Sequence, residues 1–220
     1  RLHHIKKKPN AIPYVTSYYK KYWGFCIEYK KFKKLKKGKY HVFIDSKFKK
    51  GNLNYGEIIL KGKSKKEILF STYLCHPSMA NNEISGPCVS TYLSMYVKNL
   101  KNRYYTYRFI FIPETIGSIA YISKNFTKMK KNIIAGFNLS CIGDEREYSY
   151  ISSRSGTTLA DKIAKKVLFS TDKNFKRYSW LERGSDERQY CSPGVDLPVC
   201  TLSRSKFGRY KEYHNSLDVL

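Results

Sequence analysis

Glu67-Ile68-Leu69-Phe70-Ser71-Thr72-Tyr73-Leu74-Cys75-His76-Pro77 is an apolar, strand-like run that stops abruptly in residues able to carry chemistry. A run of this length, bounded by a proline and rich in aromatic and branched side chains, reads as a strand covered on both faces. Immediately downstream, residues 86–100 place Val89, Tyr92, Leu93, Tyr96, Val97 and Leu100 at three-and-four spacing. That spacing predicts a helix with those six residues on its buried face. The alternation continues outward in both directions. Strand-like runs occur at residues 40–45, 55–61, 107–112, 133–142, 148–152 and 197–203, with weaker helical patterns at 115–126 and 157–169. Strands and helices in this order predict an α/β fold, a three-layer α/β/α sandwich on a mixed, mostly parallel sheet. The strand-like runs before residue 75 have no helix between them, so they predict an antiparallel hairpin at the sheet edge.

The chain has 220 residues, 41% of them hydrophobic and 15% aromatic, which is enough apolar material for one folded domain and excludes wholesale disorder. No apolar run approaches the roughly 20 residues that a membrane-spanning helix needs. Charge is unevenly placed: residues 1–66 hold 20 basic and 3 acidic side chains, out of a net +25 for the whole chain. Two readings fit that opening segment, a polyanion-binding arm or a solvated Lys-rich surface. The second is favoured, because Arg1 is the only arginine among the 20 and no nucleic-acid-binding motif accompanies them. Six cysteines without a CxxC pair suggest buried thiols in a reducing compartment, with the cytoplasm as the expected location. A single domain over 1–220 is expected, with a basic, partly peripheral segment at 1–39.

In a sheet of this kind ligands bind beyond the carboxyl ends of the strands. The polar residues directly after the apolar runs therefore carry the functional argument. They are Cys75-His76-Pro77, Pro113-Glu114-Thr115, Gly143-Asp144-Glu145, Gly184-Ser185-Asp186-Glu187-Arg188 and Tyr213-His214-Asn215. Histidines and carboxylates gathered at strand ends suit a metal hydrolase; satisfied surface polar groups are the plainer alternative.

The words Ser71-Thr72-Tyr73-Leu74-Cys75-His76-Pro77-Ser78, Ala80-Asn81-Asn82-Glu83-Ile84-Ser85-Gly86-Pro87, Phe111-Ile112-Pro113-Glu114-Thr115-Ile116-Gly117-Ser118 and Arg183-Gly184-Ser185-Asp186-Glu187-Arg188 follow one another in a telling order, closed by Glu212-Tyr213-His214-Asn215-Ser216-Leu217-Asp218. This order resembles the zinc-dependent exopeptidase superfamily, and within it a bacterial branch of aminopeptidase-like proteins. The resemblance implies a phosphorylase/hydrolase-like fold, a zinc cofactor and a peptide or small amide substrate. It also implies a longer protein with an inserted β domain and a winged-helix-like module that this sequence lacks. Carried over residue by residue, it makes His76 and His214 metal ligands and Glu114 the general base, and puts Asp186 and Glu187 near the substrate.

The departures are specific. Asn82 stands where the superfamily has a metal-bridging Asp, Thr115 where two-zinc enzymes have a second Glu, and Ser140 where an Asp is expected. Paired metal ions need a bridging carboxylate and flanking ligands, so one metal ion is expected at most. Its third ligand would come from Asn82 or from Asp144. Arg183 and Arg188 flank Asp186 and Glu187, either to recognise a substrate carboxylate or to form a salt-bridge network. Cys75 and His76, as neighbours in an extended chain, are expected to point to opposite faces. Tyr14, Tyr18, Tyr19, Tyr22 and Trp23 could stack bases but more often such a pattern packs against a sheet. Beside the hydrolase, two further readings remain: a non-catalytic relative that keeps the pocket, and a polyanion-binding module.

Overall fold

The computed structural model describes residues 1–17 and 19–220. Tyr18 lies outside the described residues. The chain begins with a two-stranded parallel ribbon, β1 (Leu2–His3) against β2 (Phe25–Cys26), and a one-turn helix α1 (Tyr29–Phe32). The main body then runs β3 (Gly56–Leu60), β4 (Glu67–Leu74), α2 (Ser85–Asn99), β5 (Thr106–Pro113), α3 (Ile116–Asn132), β6 (Ile133–Leu139) and β7 (Ser149–Ile151). It closes with α4 (Leu159–Thr171), β8 (Lys176–Tyr178), the short α5 (Glu187–Tyr190) and β9 (Val199–Ser203). A π-helical turn over Ala80–Ile84 leads into α2.

β3 to β9 form one seven-stranded sheet in the order β3-β5-β4-β6-β9-β7-β8. The four central strands are parallel, while β3 pairs antiparallel with β5, and β7 antiparallel with β9. β4 alternates its side chains across the sheet. Leu69 packs on one face with Tyr121, Ile122 and Met129 of α3 and Tyr190 of α5. Phe70 packs on the other face, stacked between Phe109 and Phe137, beside Ala160, Ala164 and Leu168 of α4. This is the expected layered sandwich on a mixed, mostly parallel sheet.

Three details differ from the sequence expectation. Residues 40–45 form no strand: Tyr40, Val42, Phe43 and Ile44 are exposed, and no described strand lies beside them to pair with. The edge strand β3 is antiparallel as expected, but its partner is β5 rather than its sequence neighbour β4, so there is no hairpin. Of the six residues expected on the buried face of α2, only Val97 is buried. Gly86, Ser90, Ser94 and Val97 face the sheet, while Val89, Tyr92 and Tyr96 are exposed. The helix lies so close to β4 and β6 that a Cβ on Gly86 would come within 2.6 Å of the Leu139 carbonyl oxygen. Only small side chains fit beneath a helix at that distance.

Buried charge is organised by hydrogen bonds. Asp161 is fully buried at the start of α4, where it completes a capping box with Thr158 and also accepts from Ser153 and the Tyr150 hydroxyl at 2.6 Å. Burial alone would raise its carboxyl pKa, but the donors from Ser153, Tyr150 and Thr158 hold it below the usual range. No helix among the described residues is long and apolar enough to cross a membrane.

Candidate metal centre at the strand ends

β4 and β5 run parallel in register, with Leu74 opposite Pro113. The residues that follow them, Cys75-His76 and Glu114, therefore emerge side by side. Cys75 Sγ lies 3.7 Å from His76 Nε2 and 3.6 Å from Glu114 Oε2. The expectation that Cys75 and His76 diverge is thus wrong: β4 ends at Leu74, so strand alternation no longer governs the pair.

The π-helical turn returns the chain over these strand ends. It places Glu83 so that one carboxylate oxygen lies 3.2 Å from His76 Nδ1 and the other accepts the Cys75 backbone N–H. With a carboxylate on Nδ1 the imidazole proton sits there, leaving the Nε2 lone pair facing Cys75 and Glu114. Glu83 was not singled out from the sequence. Its only sequence signal is its place in the Ala80–Ser85 word, seven residues after His76.

His214 enters from the carboxyl-terminal loop in a left-handed conformation, φ 56°. Its ring is stacked on Tyr213 at 3.8 Å and its centroid lies 4.4 Å from that of His76. Tyr14 stands edge-on to both histidines, and its backbone N–H donates to the His214 carbonyl. The opening segment is therefore tied to the site here: Ser216 N–H donates to the Ile12 carbonyl, and Pro13 bridges to Asn215. Burial, and then the nearby His76, lower the His214 pKa to about 4, so at neutral pH this ring is uncharged. Its Nε2 is buried without a hydrogen-bond partner.

Burial pushes the Glu114 carboxyl above the usual range, an effect that His76 partly opposes. Burial together with Glu114 and Glu83 pushes the Cys75 thiol up to about 12. Left-handed backbone recurs around the site, at Ser78 (φ 66°), Thr115 (φ 61°) and Cys141 (φ 50°). For a β-branched residue such as Thr115 this is strained. Asp186 braces it, accepting the Thr115 N–H at 2.8 Å and the Ser118 hydroxyl at 3.0 Å through one oxygen.

The other oxygen of Asp186 is buried without a partner, and burial raises its pKa from 3.8 to about 8. The folded protein thus takes up a proton here that the unfolded chain does not hold. The stability this provides is complete below about pH 4 and is lost as pH rises to about 8. Asp186→Asn is expected to flatten that decline. Urea midpoints of the two proteins across this range check it, and parallel pH dependences would rule it out.

The other expected site residues have hydrogen-bond surroundings of their own. Asn82 donates from Nδ2 to the Tyr73 hydroxyl at 2.8 Å, and its side-chain Oδ1 is buried without a partner. Asp144 is occupied by Asn81 Nδ2, both Ser205 donors and the Arg146 N–H. Glu187 accepts from the Gly184 and Ser185 N–H groups and from Asn138 Nδ2. Arg183 stacks on Trp180 at 4.4 Å and Arg188 is exposed; neither forms an ion pair with Asp186 or Glu187 among the described residues. Ser140 is buried with its hydroxyl unpartnered.

Residues 10–220 match the family model described as a domain of unknown function, DUF4910. The chain belongs to the DUF4910 family. This DUF4910 chain is 43% identical over 219 residues to a Clostridium acetobutylicum protein named "Putative polysaccharide biosynthesis protein with aminopeptidase-like domain", covering all of this chain and 50% of that protein. It superposes with a TM-score of 0.94 and 43% identity on the crystal structure of a "putative peptidase" from the same organism, over 99% of this chain and 51% of the other. The chain thus spans about half the length of these relatives. A zinc aminopeptidase from Bacillus subtilis shares the fold, with a TM-score of 0.57 at 17% identity, over 74% of this chain and 43% of that one. The fold is the α/β fold of the zinc exopeptidases.

The Bacillus subtilis enzyme that shares this fold is a zinc aminopeptidase, and the donor atoms gathered here are of the types that zinc takes. Cys75 Sγ, a His76 nitrogen and a Glu114 oxygen lie within 4.8 Å of one another. Tetrahedral zinc puts a thiolate sulfur and an imidazole nitrogen roughly 3.5 Å apart, close to the 3.7 Å found, with the Glu114 carboxylate 3.6 Å from the sulfur.

Proposed function

We propose that this chain is a metal-dependent hydrolase of a peptide or small amide bond, with one zinc ion on His76 and His214 and Glu114 as general base. The observation that carries the reading is the convergence of His76 and Glu114 at adjoining strand ends, with Glu83 fixing the His76 tautomer. The zinc exopeptidase fold supports it. When bound, zinc would supply Lewis acidity and a water that ionises near neutral pH. Glu83 holds the proton on His76 Nδ1, so that Nε2 stays available as a donor. His214 is neutral at working pH, which an imidazole ligand requires. Glu114 takes a proton from water and returns it to the leaving amine. Burial brings its affinity for that proton closer to what both transfers need.

Asn82, Thr115 and Ser140 favour a second reading, a non-catalytic relative that keeps the pocket for a peptide or small molecule. The Asn82 amide is neutral and held by Tyr73, so it gives an ion no charge. The Lys-rich opening segment is proposed as solvated surface, and the six unpaired cysteines are consistent with a cytoplasmic location.

Metal content tests the hydrolase reading. After incubation with zinc and removal of excess, the hydrolase reading expects close to one zinc per chain, lost in His76→Ala and in His214→Ala. No zinc in the wild-type chain would leave the non-catalytic reading standing.

A further inference from the structure

The geometry points to Cys75 as a thiolate ligand of that metal ion, in a site where Asn82 and Thr115 stand in place of carboxylates. This rests on the reading that the site takes one divalent cation at His76, and it deepens that reading by naming the donor that completes it. Three observations converge on the sulfur. It is 3.7 Å from the His76 nitrogen that Glu83 leaves bare, which is the edge length of a zinc tetrahedron with one sulfur and one nitrogen. It is 3.6 Å from Glu114 Oε2, so an ion on the sulfur has the proposed base beside its open position. The three side chains that stand at the expected carboxylate positions, Asn82, Thr115 and Ser140, are all neutral, so Cys75 is a group here that can bring an ion a negative charge beside His76.

On binding, the Cys75 S–H bond is replaced by a sulfur–metal bond and the proton leaves to solvent. The cation supplies the positive charge that the thiolate lacks beside Glu114 and Glu83. A soft sulfur donor shifts the preference of the site toward zinc, cobalt or copper and away from magnesium or calcium, which favour oxygen ligands. The residue pair Cys75-His76 therefore sets metal selectivity as well as affinity.

Cobalt(II) titration tests this directly, because the readout is spectroscopic and independent of any substrate. The purified, metal-free protein titrated with Co²⁺ is expected to gain a near-ultraviolet thiolate-to-cobalt charge-transfer band together with visible d–d bands. Cys75→Ser is expected to lose the charge-transfer band and to bind zinc roughly tenfold or more weakly. Alkylation of the wild-type protein gives a second measurement that needs no variant: Zn²⁺ alone should protect Cys75 from iodoacetamide, while the exposed Cys88 keeps reacting. Visible cobalt bands without the charge-transfer band, or Cys75 alkylated equally fast with and without zinc, would overturn the sulfur ligand and leave the His76-centred hydrolase reading intact. Absence of any cobalt binding would overturn both.

Discussion

Arg108→Ala is expected to destabilise the protein by about 3–5 kcal/mol. Arg108 sits in the middle of β5, with 1% of its surface exposed, a place where a charged side chain is rarely found. Its guanidinium holds Glu67 by two parallel bonds, Nε to Oε2 at 2.6 Å and Nη2 to Oε1 at 3.1 Å. The third nitrogen donates to Glu57 at 2.5 Å and to the Tyr121 hydroxyl at 2.8 Å, joining β3, β4, β5 and α3. Such a pair adds little over a hydrophobic pair of the same shape, because removing both ions from water offsets most of their attraction. The large effect comes from breaking it. Alanine leaves the Glu67 carboxylate, itself 3% exposed, without its cation. Glu57 is partly exposed and can regain water, so it contributes less to the loss. The double change Arg108→Met with Glu67→Leu is therefore expected to recover most of the stability lost in the single variant. Guanidinium denaturation of the three proteins measures it. A single-variant loss under about 1 kcal/mol, or a double variant no better than the single, would defeat this account.

The same residue shows where sequence reading stops. The 107–112 run is legible as a strand because its neighbours are apolar and aromatic, but nothing local says that Arg108 points into the core toward Glu67, 41 residues earlier. The central strands were legible because both of their faces are covered, so their apolar runs are nearly continuous. Strand ends were legible for the same reason: an apolar run that stops at Cys75-His76 or at Glu114 marks where the sheet meets the ligand face. The face of α2 was misread because the pattern of large apolar residues and the pattern of small ones both repeat at helical spacing. Close approach at Gly86 selects the small ones, and that distance is a tertiary quantity. Residues 40–45 alternate like a strand, yet a strand exists only where a partner lies alongside. In the site, Glu83 escaped notice and Cys75 was expected to point away from His76, because their positions depend on a π-helical turn and on where β4 ends, neither of which is encoded in side-chain periodicity. The place of Tyr14 was equally hidden, since long-range backbone ties from residues 12–14 to residues 214–216 bring it to the histidines.

Glu114→Gln is expected to lower amide hydrolysis by about 10²–10⁴-fold while leaving zinc content unchanged. Glutamine keeps the shape of the side chain and one oxygen, so the packing against Cys75 survives, but its amide has no affinity for the proton that must move. The contrast with His76→Ala separates the roles. Loss of the imidazole removes the metal and the activity together, whereas loss of the carboxylate removes activity alone. The Glu114 position supports this division: the residue follows β5 directly and is fixed by the Thr115 turn, which Asp186 holds through the Thr115 N–H. Glu114 belongs to none of the ion pairs among the described residues, so its carboxylate can gain and lose a proton without breaking a salt bridge. A panel of aminoacyl anilides with zinc-loaded wild-type and Glu114→Gln protein provides the measurement, with metal analysis on the same samples. Equal turnover in the two proteins would remove Glu114 from the chemistry, and loss of zinc from the Gln variant would make it a metal ligand instead of the base. An unmeasurable rate in both, with zinc bound to both, would point to the non-catalytic relative, in which Asn82 and Thr115 mark a site that kept its ion and gave up its reaction.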